Sequence, residues 1–145
     1  MNDAGITGGD GPTSLHELFE QIDRLHDAGK GVVYESYTET EAGREYALAA
    51  YFLASDGSDG LSTDVGGTPD DWWPGFDVRL GAPLNDRHEW RGLLRRDFER
   101  GVVLLNEPDA PVRSEPIDDD LVGIDGDPVR RVTLDGGQGV VLLEQ

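Results

Sequence analysis

Leu93-Leu94-Arg95-Arg96-Asp97-Phe98-Glu99-Arg100-Gly101-Val102-Val103-Leu104-Leu105-Asn106 is the stretch whose reading decides the fold. Extended back to Asp86, its first half also fits a charged helix, with Trp90, Leu93, Leu94 and Phe98 roughly on one side. Its second half is a β-branched and leucine run, and the turn at Glu99-Arg100-Gly101 joins the two. The spacing therefore predicts a hairpin of Leu93 to Phe98 against Val102 to Asn106.

Working outward from that hairpin, Val112 to Ile117 follows a Pro108-Asp109-Ala110-Pro111 turn. Val129 to Leu134 and Gly139 to Leu143 flank Asp135-Gly136-Gly137-Gln138. Five short strands with regular turn signals predict a small antiparallel β-sandwich over residues 92–145. Ahead of it, residues 67–91 read as an irregular connecting segment carrying the pair Trp72-Trp73.

The N-terminal half has a different period. Ser14 and Glu17 form a capping box, and Leu15, Leu18, Phe19, Ile22 and Leu25 recur at helical spacing until Gly29. A Gly-Lys-Gly link leads to the β-prone run Gly31 to Tyr37. Thr38 and Glu41 suggest a second capping box, with Ala42, Tyr46, Ala49, Phe52 and Leu53 on one face of a helix from about Glu41 to Ser55. Leu61 to Val65 alternates as a short strand. Residues 14–66 are thus two α/β units, and residues 1–13 a Gly- and Asp-rich lead-in, so the fold class is α/β followed by all-β.

Composition narrows the partners. The chain has 145 residues, with 30 acidic against 12 basic side chains and a net charge of -18. Such a field repels phosphate backbones and argues against nucleic acid. Lys30 is the single lysine, a balance consistent with a salt-adapted or high-GC source. Without cysteine there is no disulfide and no thiolate ligand. His16, His26 and His88 read as surface residues, so no metal or cofactor is expected, and Gly8-Gly9-Asp10-Gly11 lacks the Lys-Ser/Thr of a phosphate loop. No apolar run approaches the roughly 20 residues of a bilayer span and no export signal is visible, so a membrane is not expected and a cytoplasmic location is the default.

Several pieces together resemble the C-terminal end of glycoside hydrolases built as a (β/α)8 barrel followed by a small antiparallel β domain. They are Gly29-Lys30-Gly31-Val32-Val33, Tyr46 to Ala54, Trp72-Trp73-Pro74 ahead of Leu80-Gly81-Ala82-Pro83-Leu84, Leu94 to Asn106, and the closing Gly139-Val140-Val141-Leu142-Leu143. The resemblance implies a partial barrel end packed on the β-sandwich and an enzyme acting on glycosidic bonds. At this length a whole barrel of about 250 residues is excluded, so the chain is expected to be incomplete as a catalyst and to need a missing N-terminal barrel segment. Barrel chemistry sits at strand C-termini, and glycoside hydrolysis uses two carboxyl groups. Glu35 and Asp64, each near the end of a short strand, are the candidate catalytic acids, although among 30 acids some fall at strand ends by chance. Tyr37, Trp72 and Trp73 are the candidate sugar-binding residues, although such a Trp pair more often plugs the seam between two layers. The alternative is a non-catalytic α+β module that binds carbohydrate or protein.

Overall fold

The computed structural model describes residues 14–36, 38, 40–62 and 72–145, the last stretch without the side chains of residues 118 and 119. The lead-in at 1–13 lies outside these residues.

Helix α1 (Leu15–Asp27) starts where the capping box places it. The Ser14 hydroxyl accepts from the Glu17 N–H at 3.2 Å, and the Glu17 carboxylate accepts from the Ser14 N–H at 3.3 Å. Its buried stripe is Leu15, Leu18, Phe19 and Ile22, and the chain leaves it through Gly29 at φ +70, where an L side chain would be strained.

Strand β1 (Val33–Glu35), helix α2 (Glu41–Ala54) and strand β2 (Gly60–Ser62) follow, and β1 pairs with β2 in parallel, Tyr34 opposite Leu61. Parallel neighbours need a crossover, which α2 supplies. The cap of α2 is Thr40 and not Thr38. Its Oγ1 accepts from the Gly43 N–H at 3.1 Å, because Thr40 stands three residues before that donor.

After a 3-10 turn (Pro74–Asp77) come β3 (His88–Trp90), β4 (Leu93–Phe98), β5 (Gly101–Leu105), β6 (Arg113–Val122), β7 (Pro128–Leu134) and β8 (Gly139–Glu144). The stretch from Asp86 is therefore strand in both halves. Arg91 and Gly92 link β3 to β4 with φ of 52 and 81, the two positive values of a type I′ hairpin turn.

Among the described residues these six strands form one antiparallel sheet, in the order β3-β4-β5-β8-β6-β7. A single curled sheet stands where a two-sheet sandwich was expected. The β6–β7 pairing shifts register between Pro116 and Leu121, and β6 joins β8 only at Leu121 and Val122. The irregularity bends the hairpin over. Ile117, Leu121, Val132 and Leu134 then meet Leu93, Val102, Leu104 and Leu142 in one apolar cluster.

The opposite face of the sheet packs on the helices. Phe98, Val103, Leu105 and Val141 share a core with Ile22, Tyr46, Ala49, Leu53 and Trp73. Strands β5 and β8 are covered on both sides, which is why Val-Val-Leu-Leu reads without alternation in each. Approach is closest at Gly139, where a Cβ would stand 2.7 Å from that of Ala49.

Candidate functional site

Glu35 closes β1 at its C-terminal end. Along this strand Val32, Tyr34 and Ser36 are buried toward the helices, whereas Val33 and Glu35 are exposed on the other face. The period of two fixes that assignment. Asp64 and Tyr37, the other acid and the tyrosine selected from the sequence, lie outside the described residues.

The tryptophan pair divides. Trp72 is 61% exposed and presents a flat apolar surface. Trp73 is 7% exposed, joins the helix-side core and meets Phe76 edge-on at 5.7 Å, leaving no open face for a sugar ring.

A cleft of about 420 Å³ opens at the other end of β1. Its walls include Asp23 and His26 from α1, Asp56 from the turn after α2, Asp86 and Arg87 ahead of β3, and Arg96 from β4. Arg87 makes a forked pair with Asp23 and lies 4.6 Å over the Phe19 ring. Arg96 faces α2, since β4 alternates and Leu94 and Phe98 on the same side join the helix core. Its guanidinium donates to the carbonyls of Phe52 and Ser55 at 2.9 and 2.8 Å and to that of Asn85 at 3.1 Å. A cation thus occupies the negative end of α2. Burial lowers its pKa, while Asp86 acts in the opposite direction.

Arg95 and Asp97, on the other face of β4, pair at 2.6 Å. Partial burial works against the Asp97 charge, yet the bonds from Arg95 and Asn85 hold its carboxyl below the usual range.

Deeper in the cleft, His26 joins the side chains of Asp56 and Asp59. His26 Nε2 lies 3.0 and 2.9 Å from the two Asp59 oxygens and 3.8 Å from Asp56 Oδ1. The Asp59 carboxylate is fully buried and accepts from the Val32 N–H at 2.6 Å. Asp56 accepts from the Ser58 hydroxyl and N–H, which hold its pKa down. The sequence offered no signal for this group, because His26 stands 33 residues from Asp59 and meets it through packing of α1 on the turn before β2.

Tyr34 lies behind these acids. Burial first, then the charge of Asp59, raises the pKa of its phenol. Chemically the cleft presents more carboxylate than free cation, so it suits a positive ligand, whereas Glu35 places a carboxyl group at the opposite strand end. Among the described residues no helix is long and apolar enough to cross a membrane. No protein-family model matches the sequence, and no curated protein matches it.

Proposed function

We propose that the chain is the closing portion of a glycoside-hydrolase-like (β/α) barrel with its C-terminal β domain, acting on glycosidic bonds only when further strands complete the sheet. The observation that supports this reading is the solvent exposure of one face of β1. Val33 is 60% exposed beside Glu35 on the side of β1 away from the helices. In a barrel that side is the lumen, and the C-terminal end of the strand, where Glu35 stands, is where the chemistry is built. Glu35 then serves as one of the two carboxyl groups, with Asp64 as the chain's own candidate for the second.

The test is hydrolysis of aryl glycosides by the purified chain, by the chain joined to whatever βα segment its gene encodes upstream, and by Glu35→Gln and Asp64→Asn in that assembly. Turnover confined to the assembly, with a loss of about 10²–10⁴-fold in Glu35→Gln, is expected. Turnover indifferent to both substitutions removes the two acids, and absence of any upstream βα coding removes the barrel.

A second reading has its own support in Trp72. Its exposed ring suits stacking on a sugar face, as in a carbohydrate-binding module without turnover. Retention of the chain alone on polysaccharide gels, lost in Trp72→Ala, distinguishes that reading from the first.

A further inference from the structure

We propose that His26, Asp56 and Asp59 form a binding site for one divalent transition-metal ion of the zinc type, tying the end of α1 to the turn that enters β2. This site is independent of the glycosidic reading, because it lies at the N-terminal ends of β1 and β2, opposite Glu35.

The donor set suits the ion. One imidazole and two carboxylates are borderline ligands of the kind zinc takes, and they come from two segments that converge, α1 for His26 and the turn before β2 for Asp56 and Asp59. Ligand atoms about 2.1 Å from a tetrahedral ion stand about 3.4 Å from one another. Here Nε2 lies 2.9 Å from Asp59 Oδ2 and 3.8 Å from Asp56 Oδ1, values on either side of that separation, and one atom from each of the three residues falls within 4.8 Å of the others. Both carboxylates are also fixed by hydrogen bonds from neighbouring groups, Asp59 Oδ1 by the Val32 N–H and Asp56 Oδ1 by Ser58, as carboxylates around metals commonly are. Asp56 is 44% exposed at the cleft, which leaves coordination positions open to water.

A second observation comes from outside the cluster. The Tyr34 hydroxyl belongs to a residue 1% exposed and has no hydrogen-bond partner among the described residues. It lies within the field of Asp59, Asp56 and Arg87, and its ring meets Tyr51 edge-on at 5.5 Å, the residue whose own hydroxyl donates to the Asp59 main-chain carbonyl. A buried hydroxyl left unsatisfied calls for an occupant, and a water bound to the proposed ion would be one. The surrounding charge agrees: Arg87 is taken up by Asp23 and Arg96 by carbonyls, so Asp56, Asp59 and Asp86 leave the cleft negative.

The experiment equilibrates the full chain with Zn²⁺, removes free metal by gel filtration, and measures bound zinc together with calorimetric affinity and thermal melting. One ion per chain at micromolar Kd or tighter is expected, with a melting temperature that climbs with free zinc. Asp56→Ala, at an exposed position that leaves the Asp59 bonds in place, should weaken binding at least tenfold, and His26→Gln should abolish it. Asp120→Ala, on the surface of β6, should change nothing. Co²⁺ in place of Zn²⁺ should give the visible absorption of a four-coordinate site, lost in Asp56→Ala. No stoichiometric binding, or weak binding of several ions equal in all three variants, would show an adventitious ion only and overturn the site. If His26→Gln fails to fold, Asp56→Ala decides alone.

Discussion

Arg96 on β4 donates from Nη1 to the Ser55 main-chain oxygen at 2.8 Å, joining the antiparallel sheet to the C-terminal end of α2. The same nitrogen reaches Phe52 O, and Nε reaches Asn85 O, so one buried fork satisfies carbonyls at the end of α2 and one in the segment ahead of β3. Replacing it with Met strands those acceptors. Arg96→Met should cost about 2–3 kcal/mol in urea unfolding, and Arg96→Lys, which keeps the charge but not the fork, should recover only part of it. A loss below about 0.5 kcal/mol in Arg96→Met, the scatter of ordinary surface changes, would deny this contact its role.

Glu45 on α2 accepts from the Val141 N–H of β8 at 3.1 Å, and burial raises its pKa above the ordinary glutamate value of 4.5. A carboxyl with a raised folded pKa favours the folded state when protonated, and that advantage disappears as pH rises through the folded value. Glu45→Gln keeps an acceptor and removes the charge. Its melting temperature should exceed that of the parent at pH 7, with the gap closing below pH 4.5; a gap independent of pH would contradict the assignment.

Asn106 at the end of β5 is fully buried and donates from Nδ2 to Pro111 O and Leu134 O, both at 3.0 Å. It pins the turn after β5 to the end of β7. Asn106→Ala should cost about 2–3 kcal/mol by leaving two carbonyls unpaired in the core. Retention of the parent's denaturation midpoint would show that water replaces the amide.

The net charge of -18 on a 15.8 kDa chain makes self-repulsion a leading destabilising force. Screening shortens the Debye length from about 10 Å at 0.1 M to about 3 Å at 1 M salt. The melting temperature should therefore rise with KCl over that range. A fall would mean that the ion pairs outweigh the repulsion.

How much of this was legible beforehand depends on whether the signal was local. The Ser14–Glu17 box and the α1 stripe are local, and both stand as read except at Leu25, which is exposed. The Arg91-Gly92 turn was missed because Arg stands where Asn or Asp usually marks a type I′ hairpin, and the flanking residues also match a helical period. The single curled sheet was beyond reach for another reason. Val102 to Leu105 shows that both faces of β5 are buried, but not whether a second sheet or the same sheet covers them. His26 reads as a surface residue from the sequence because it acquires its partner Asp59 from a segment 33 residues away.

The central claim is that β1 and β2 belong to a larger parallel sheet, and native-state hydrogen exchange on the purified chain tests it most directly. The Ser36 and Gly60 amides, bonded to Ser62 O and Val32 O, report on this pair, and the amides of β5 and β8 report on the core. A short two-stranded pair, exposed on one face of β1, opens by local fluctuation, so Ser36 and Gly60 should exchange at least 10²-fold faster than the slowest amides of β5 and β8. Equal protection of both sets would show that the parallel pair is complete as it stands, and would contradict the account.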